Sequence, residues 1–263
     1  MNSFPLAQSG RSALEVAAEA AREAGKILLA HFYSTKTIKH KGKGNLVTDA
    51  DILSETAVLE LLKNEYPRHN VLSEETYSTA TVEGYTWIVD PLDGTNNYVY
   101  GIPFFCVTIA LVKDDDILLG VTYDPIKDEL FSVEKGQGAY LNGSAIQVSG
   151  ESSLQSSLVG LDLGYHDERG KELIDITAKL WGQVHCLRIM GSAALGLAYV
   201  SCGRVSLYFH RWLYPWDIAA GLLLVREAGG KATDWHDNMA GFQTTQIIAS
   251  NRKLHHEFVA YMV

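Results

Sequence analysis

The chain has 263 residues, 47% of them hydrophobic and 20% charged, with a formal charge of −9 at neutral pH. That length buries a sizeable core as one large domain or two small ones, and a net negative surface has no field with which to collect a polyanion, so nucleic acid is excluded as a main partner. The longest apolar runs, such as 218–225, are too short for a bilayer span and residues 1–11 lack the apolar centre of a signal peptide, which predicts a cytoplasmic protein without a membrane partner. Cys106, Cys186 and Cys202 are odd in number, far apart and without ligand spacing, so they read as buried reduced thiols.

Ser12 opens the first predicted helix, because Ser-x-x-Glu to Glu15 is a capping box and Leu14, Ala17, Ala21, Leu28 and Phe32 recur at helical spacing. His31 within it has no partner at metal spacing and reads as a helix-face residue. Residues 35–45 carry Lys36, Lys39, Lys41 and Lys43 with Gly42 and Gly44, a basic loop that either folds over a phosphate ester or is simply solvated. Thr48 caps a second helix with Asp51 at the box position and Ile52, Leu59, Leu62 and Tyr66 on one face, ending before Pro67. Val71-Leu72 then forms a short strand that stops at Ser73-Glu74-Glu75, and 76–84 reads as a loop.

Residues 87–95, WIVDPLDGT, are the most informative stretch. Trp87, Ile88 and Val89 predict the end of a buried strand that delivers Asp90 to an open edge; Pro91 stops the ladder, Asp93-Gly94 is turn chemistry, and Thr95 is suited to capping a short segment over 96–100. The pattern has two readings. It is a solvated turn, which needs no ligand, or it is a site where carboxylates hold Mg²⁺ bridged to phosphate oxygens, since acids beside an anion repel it unless cations stand between.

Beyond it, strands over 104–112, 117–123, 129–133 and 139–141 predict an antiparallel meander, with Asp114-Asp115-Asp116 as a solvated hairpin turn and Gly136-Gln137-Gly138 as a tight corner. A polar hinge over 149–154 divides an α+β half, 1–149, from an α/β half, 150–263. The second half alternates: strands over 158–163, 184–190, 205–209 and 246–250, helices over 168–181, 192–201 and 216–228. Asp217 falls in the first turn of the last of these helices, where the dipole favours a carboxylate, so as plain sequence it is either a helix cap or a ligand. Gly191-Ser192-Ala193-Ala194 is a second helix start.

Read in order, Ser-Glu-Glu at 73–75, the hydrophobic strand into Asp-Pro-Leu-Asp-Gly-Thr at 90–95, and Pro-Trp-Asp-Ile-Ala-Ala-Gly at 215–221 resemble the inositol monophosphatase family. The resemblance runs from the approach to Leu46-Val47-Thr48 to the helix end at Glu227-Ala228-Gly229-Gly230. It implies a layered α-β-α-β-α sandwich folded as one compact unit, with an antiparallel sheet in the N-terminal half, a mixed sheet with helices in the C-terminal half, and the site between them. It also implies a Mg²⁺-dependent, Li⁺-sensitive, homodimeric phosphomonoesterase that hydrolyses inositol monophosphate or a related small phosphate ester. By the same resemblance Glu74, Asp90, the Leu92 carbonyl, Asp93 and Asp217 hold two or three Mg²⁺ ions, and activated water attacks phosphorus in line without a phosphoenzyme.

The family's catalytic positions fall on Thr95, Glu74 and Asn45, and its substrate positions on Asp93, Gly94, Thr95, Gly191, Ser192, Ala193, His210 and Asp217. Two of these depart from the family. An Asp usually stands where Asn45 is, and an amide accepts a hydrogen bond but takes no proton near neutral pH, so the general base is left open. Many members carry Glu where His210 stands, and an imidazole followed by Arg211 and Trp212 predicts a pocket that is less acidic and more aromatic. Fructose-1,6-bisphosphatase, histidinol-phosphatase and 3′-phosphonucleotide phosphatase activities are alternatives on the same fold, and a non-catalytic regulatory protein is an alternative of another class. A haloacid-dehalogenase-type phosphatase is disfavoured by spacing, because its paired acids lie two apart whereas Asp90 and Asp93 lie three apart around a proline.

Overall fold

The computed structural model describes residues 4–34, 38–42, 45–76 and 82–262. Lys36, Lys43 and Gly44 of the basic stretch and 77–81 of the loop before the central strand lie outside them, as do the side chains of Lys41 and Asn45. Ser12 caps α1 (Ala13–Phe32) through the expected box with Glu15, and Thr48 caps α2 (Asp49–Glu65) with Asp51. The alanine-rich face of α1 (Ala13, Ala17, Ala20, Ala21, Ala24) is fully buried and lets the helix settle closely against α2 and the sheet beneath.

Two expectations for this region are corrected. The stretch read as a loop contains an antiparallel hairpin, β1 (Ile38–Gly42) with β2 (Asn45–Thr48): Leu46 and Val47 are buried, and pairing satisfies the backbone that goes in with them. On α2, Leu59, Leu62 and the following Tyr66 are buried as expected, but Ile52 is 46% exposed. Polar Asp51, Ser54 and Glu55 occupy part of the inner face instead.

The first sheet holds β3 (Asn70–Ser73), β4 (Tyr85–Asp93), β5 (Cys106–Lys113), β6 (Asp116–Asp124), β7 (Glu129–Glu134), β8 (Ala139–Leu141) and β9 (Ser144–Ala145), neighbours in that order. The meander is antiparallel as expected, and only β3 runs parallel to β4. Pro91 does not end β4. The ladder with β5 shifts register between Asp90 and Asp93 and resumes with Asp93 opposite Cys106, because a bulge accommodates a residue that has no N–H to donate. Nor does Thr95 cap α3 (Thr95–Val99): Gly94, at φ 94°, is the cap and Thr95 the first helical residue. A side chain at 94 would be strained there and would lie 3.1 Å from the backbone oxygens of Gly191 and Phe104.

After a 3₁₀ turn come β10 (Leu158–Leu161), α4 (Asp167–Leu180), β11 (Cys186–Ile189), α5 (Ala193–Ser201), β12 (Leu207–Arg211), α6 (Pro215–Glu227), β13 (Lys231–Thr233), β14 (Gln246–Ser250) and α7 (Arg252–Met262). The second sheet has the order β11-β10-β12-β14-β13, with the first three strands parallel and the last two antiparallel. Three-residue β13 was not foreseen, being too short to show a period. Of the cysteines Cys106 is buried, while Cys186 and Cys202 are half-buried; all are free thiols.

The layers follow from which faces are apolar. Trp87 and Val89 of β4 pack toward α1 and α2, and Ile88 between them packs toward α5 and α6. The outer face of the second sheet is covered by Leu173 and Leu180 of α4 and Leu254 and Phe258 of α7. Helix α6 therefore lies between two sheets, and its continuous buried run Ile218–Val225 has no polar face to present. It approaches β6 so closely that a Cβ on Gly120 would fall 2.7 Å from the Ala220 Cα. This contact seats the N-terminal turn of α6 beside β4.

Gly120→Ala should therefore push α6 off the sheet and destabilise the protein by about 1–3 kcal/mol. Gly150→Ala, with nothing within 4 Å of the added methyl, should stay within about 0.5 kcal/mol. Urea denaturation of both variants checks the contrast.

Candidate active site

Alternation along β4 places Asp90 on the same side as Ile88, facing α6, and Asp217 sits in the first turn of that helix. The register shift then turns Asp93 back toward the same point. Among the described residues, carboxylate oxygens of Asp90, Asp93 and Asp217 all lie within 4.8 Å of one another. Asp90 and Asp93 are buried and Asp217 is half-buried.

Each acid is held by donors from its own surroundings. Asp90 accepts the Leu92 N–H at 2.9 Å, and Asp217 accepts the Tyr214 N–H at 2.7 Å, just ahead of α6. Asp93 accepts the hydroxyl of Ser192, which is the N-cap of α5, together with the Ala194 N–H at 2.9 Å and the Cys106 thiol at 3.7 Å. These bonds do not offset the crowding. Burial, then repulsion from Glu74, Asp93 and Asp217, pushes Asp90 well above the ordinary carboxylate range. Burial raises Asp93 and Asp217 as well, against the opposing hydrogen bonds from Ser192 and Tyr214.

The three acids form the floor of a cavity of about 400 Å³. Glu74, Leu92, Gly94, Thr95, Gly191, Ser192, Ala193 and His210 line the same cavity, so it gathers all the sequence-predicted site residues whose side chains are described. Glu74 stands outside the tight triad, half-buried on the turn after β3. The Thr95 hydroxyl points at the Leu92 carbonyl at 3.1 Å and at Asp51 Oδ1 at 3.4 Å. Asn45 belongs to β2, where its backbone pairs with Gly42.

Gly191, at φ 78°, is fixed from two sides. Its N–H is donated to Asp162, and the amide of Asn97 is donated to the carbonyls of Met190 at 3.0 Å and Phe104 at 2.9 Å. A Cβ at 191 would lie 2.6 Å from Asn97, so only glycine lets this segment close on α3. His210 is 6% exposed; burial pushes its imidazole down to about 4, and among the described residues its Nδ1 has no hydrogen-bond partner. The ring is therefore neutral at pH 7, and it lies parallel to Tyr208 at 6.4 Å between centroids. Arg211, by contrast, leaves the cavity: it pairs with Glu172 and stacks over Trp212 and Trp235.

Sequence reasoning missed Asp162, whose only signal was a lone acid in the apolar run 158–163. It lines the cavity, accepts the Tyr208 hydroxyl at 2.6 Å, and is pushed up to about 7 by burial. Tyr165, His166 and Tyr214 were also missed as wall residues, since they sit on connections without a period, and so was Arg169, an ordinary charged residue in the first turn of α4.

The donor set fits a hard divalent cation. Three carboxylates converge in a buried space, and among the described lining residues the only Lys or Arg is Arg169, whose guanidinium lies over the Trp212 ring at 4.7 Å. Oxygen-only ligands of this kind suit Mg²⁺ or a similar ion, which removes the repulsion that the side chains leave unbalanced.

The sequence model of a family described as "Inositol monophosphatase family" matches residues 10–263. The chain is 41% identical over 256 residues to "Inositol monophosphatase 2" of Solanum lycopersicum, covering 94% of this chain and 96% of that one. Among solved structures it resembles the extragenic suppressor protein suhB from Bartonella henselae, with a TM-score of 0.88 and 35% identity over 94% of this chain and 97% of that one. It also resembles an inositol monophosphatase from Anabaena (Nostoc), with a TM-score of 0.85 and 36% identity over 95% and 94% of the two chains.

The raised pKa of Asp90 fixes the sign of a pH effect in metal-free protein. A carboxyl whose folded value lies above its unfolded value of 3.8 contributes stability below that value and loses it as pH rises through the folded one. In chelator, the part of the stability that depends on Asp90 should be smaller at pH 8 than at pH 5, and Asp90→Asn should gain stability relative to the wild type on going from pH 5 to pH 8. Urea titrations at the two pH values measure both.

Proposed function

Because the chain belongs to the inositol monophosphatase family, metal-dependent hydrolases of phosphoric monoesters, we propose that it cleaves small phosphate esters with Mg²⁺ bound by Glu74, Asp90, the Leu92 carbonyl, Asp93 and Asp217. The observation that carries this is the convergence of Asp90 and Asp93 from one half of the chain with Asp217 from the other. When bound, the ions supply positive charge to the phosphoryl oxygens and acidify water.

The protein's own residues do the rest. The start of α5 at Ser192-Ala193-Ala194 fixes Asp93 and presents backbone to the ester, with Gly191 drawn close to Gly94. The Thr95 hydroxyl, beside Leu92 and Asp51, orients the attacking water together with Glu74 and the amide of Asn45. Neutral His210 accepts or donates one hydrogen bond without charge, and Tyr165, Trp212 and Tyr214 form a flat-faced wall around the alcohol. A homodimer is part of the same reading, and β11 suits it as an edge strand whose Ile189 is 64% exposed. The protein acts in the cytoplasm and is inhibited by Li⁺; among the described residues no helix is long and apolar enough to cross a membrane.

Phosphate release should require added Mg²⁺ and vanish on chelation, and Asp217→Asn should lower kcat by at least about 100-fold while keeping the fold. Hydrolysis of a chiral thiophosphate ester in ¹⁸O-water should invert configuration at phosphorus, and retention would mean a covalent intermediate. Across a panel of phosphomonoesters, inositol monophosphate should give mediocre kcat/KM, with at least one other ester equal or better, and His210→Glu should shift the ranking toward inositol monophosphate. An unchanged ranking would remove His210 from the specificity pocket.

A further inference from the structure

Helix α2 carries a buried polar stripe at spacings of three and four: Asp51 at 1% exposure, Ser54 at 0% and Glu55 at 4%. Buried polar groups on a helix face need partners, and beyond the cap that Asp51 makes with Thr48, each of these reaches a different segment of the site. Asp51 receives the Thr95 hydroxyl at 3.4 Å, and Ser54 donates to the Pro91 carbonyl at 3.0 Å, bracing the bulge in β4. Glu55 accepts from the hydroxyl of Ser73, the hydroxyl of Thr76 and the Thr76 N–H at 3.1 Å.

The last set is the most informative, because Ser73 and Thr76 bracket Glu74-Glu75. A carboxylate in the middle of a helix satisfies no cap of its own, and all three of these donors come from one four-residue turn. The Glu74 N–H is meanwhile donated to the Val89 carbonyl at 3.2 Å, which ties the same turn to β4. The turn is thus gripped at both ends by Glu55 and beside its middle by β4. Glu74 is half-buried and stands apart from the triad, so its reach into the cavity depends on how this turn is held.

We propose that Glu55 is a positioning residue for Glu74: by binding Ser73 and Thr76 it fixes the turn that aims Glu74 at the metal. The proposal rests on the reading that Glu74 is a ligand. Glu55 touches neither ester nor ion, so its loss should appear as weakened Mg²⁺ affinity, with kcat returning toward the wild-type value at saturating Mg²⁺ and the substrate KM unchanged there. Partners that orient a ligand carboxylate typically matter by 10- to 100-fold in metal affinity.

The test measures Mg²⁺ binding by calorimetry, and the Mg²⁺ concentration for half-activation, in Glu55→Ala, Glu55→Gln, Glu74→Gln and the Glu55→Ala/Glu74→Gln double variant. Ser73→Ala/Thr76→Val removes the two hydroxyl donors of the grip from the other side, leaving only the backbone N–H of residue 76, and carries the test if Glu55→Ala does not fold. The expected result is affinity about 10- to 100-fold weaker in Glu55→Ala, partly restored in Glu55→Gln, with no further loss when Glu55→Ala is added to Glu74→Gln. Wild-type affinity in Glu55→Ala and Ser73→Ala/Thr76→Val, beside a clear loss in Glu74→Gln, would overturn the proposal and leave the site intact. An equal further loss in the double variant would also overturn it, since Glu55 would then act elsewhere. Wild-type affinity in Glu74→Gln would instead remove the premise.

Discussion

Three carboxylates within 4.8 Å of one another, two of them buried and one half-buried, with no side-chain cation among them in the described residues, are the constraint on which the rest of this structure depends. At such separations the repulsion amounts to a few kcal/mol per pair even with substantial screening. A fold tolerates it only if rigid surroundings leave the acids nowhere to turn. Here those surroundings are the β4 bulge, the start of α6 and the start of α5, each contributing a backbone N–H to one of the three acids. The protein thus keeps a destabilised centre that a divalent cation relieves, which is how binding energy for the ion is stored in the folded chain.

The close packing elsewhere serves the same end. Helix α6 must pass between two sheets to carry Asp217 to β4, and it does so with small residues at its contacts: Ala220 against Gly120, and Gly221 against Leu197. Gly94 and Gly191 play the matching role at the mouth, where the two backbones meet without side chains between them. The site is therefore a property of the assembled layers and of no single element. Helix α2 adds an outer tier through Asp51, Ser54 and Glu55, which reach Thr95, Pro91 and the Glu74 turn.

Much of this was legible in the chain. The capping boxes at Ser12 and Thr48, the period-2 meander and the alternation of the second half each carry a local signal, and the helices they predict end within a residue or two of those observed. Asp90, Asp93 and Asp217 stood out at a strand end, a turn and a helix start, but there a solvated turn and a helix cap were equally open, and only the family resemblance made them candidate ligands. What could not be read was decided by tertiary contact. Proline in β4 looks like a terminus until β5 is there to resume pairing, and Gly94 displaces Thr95 as the cap because the backbones of Gly191 and Phe104 come too near for a Cβ. Ile52 looked like a core residue, but the polar demands of the site took the inner face of α2. Asp162 was silent because a single acid in an apolar strand has no pattern until Gly191 and Tyr208 are folded against it.

The most direct test of the central claim is anomalous diffraction from crystals grown with Mn²⁺ in place of Mg²⁺, since manganese takes the same oxygen ligands and scatters anomalously. The account predicts strong peaks bounded by the carboxylates of Asp90, Asp93 and Asp217, with Glu74 drawn in beside them. Catalytically competent crystals with no anomalous density in that cluster would contradict it.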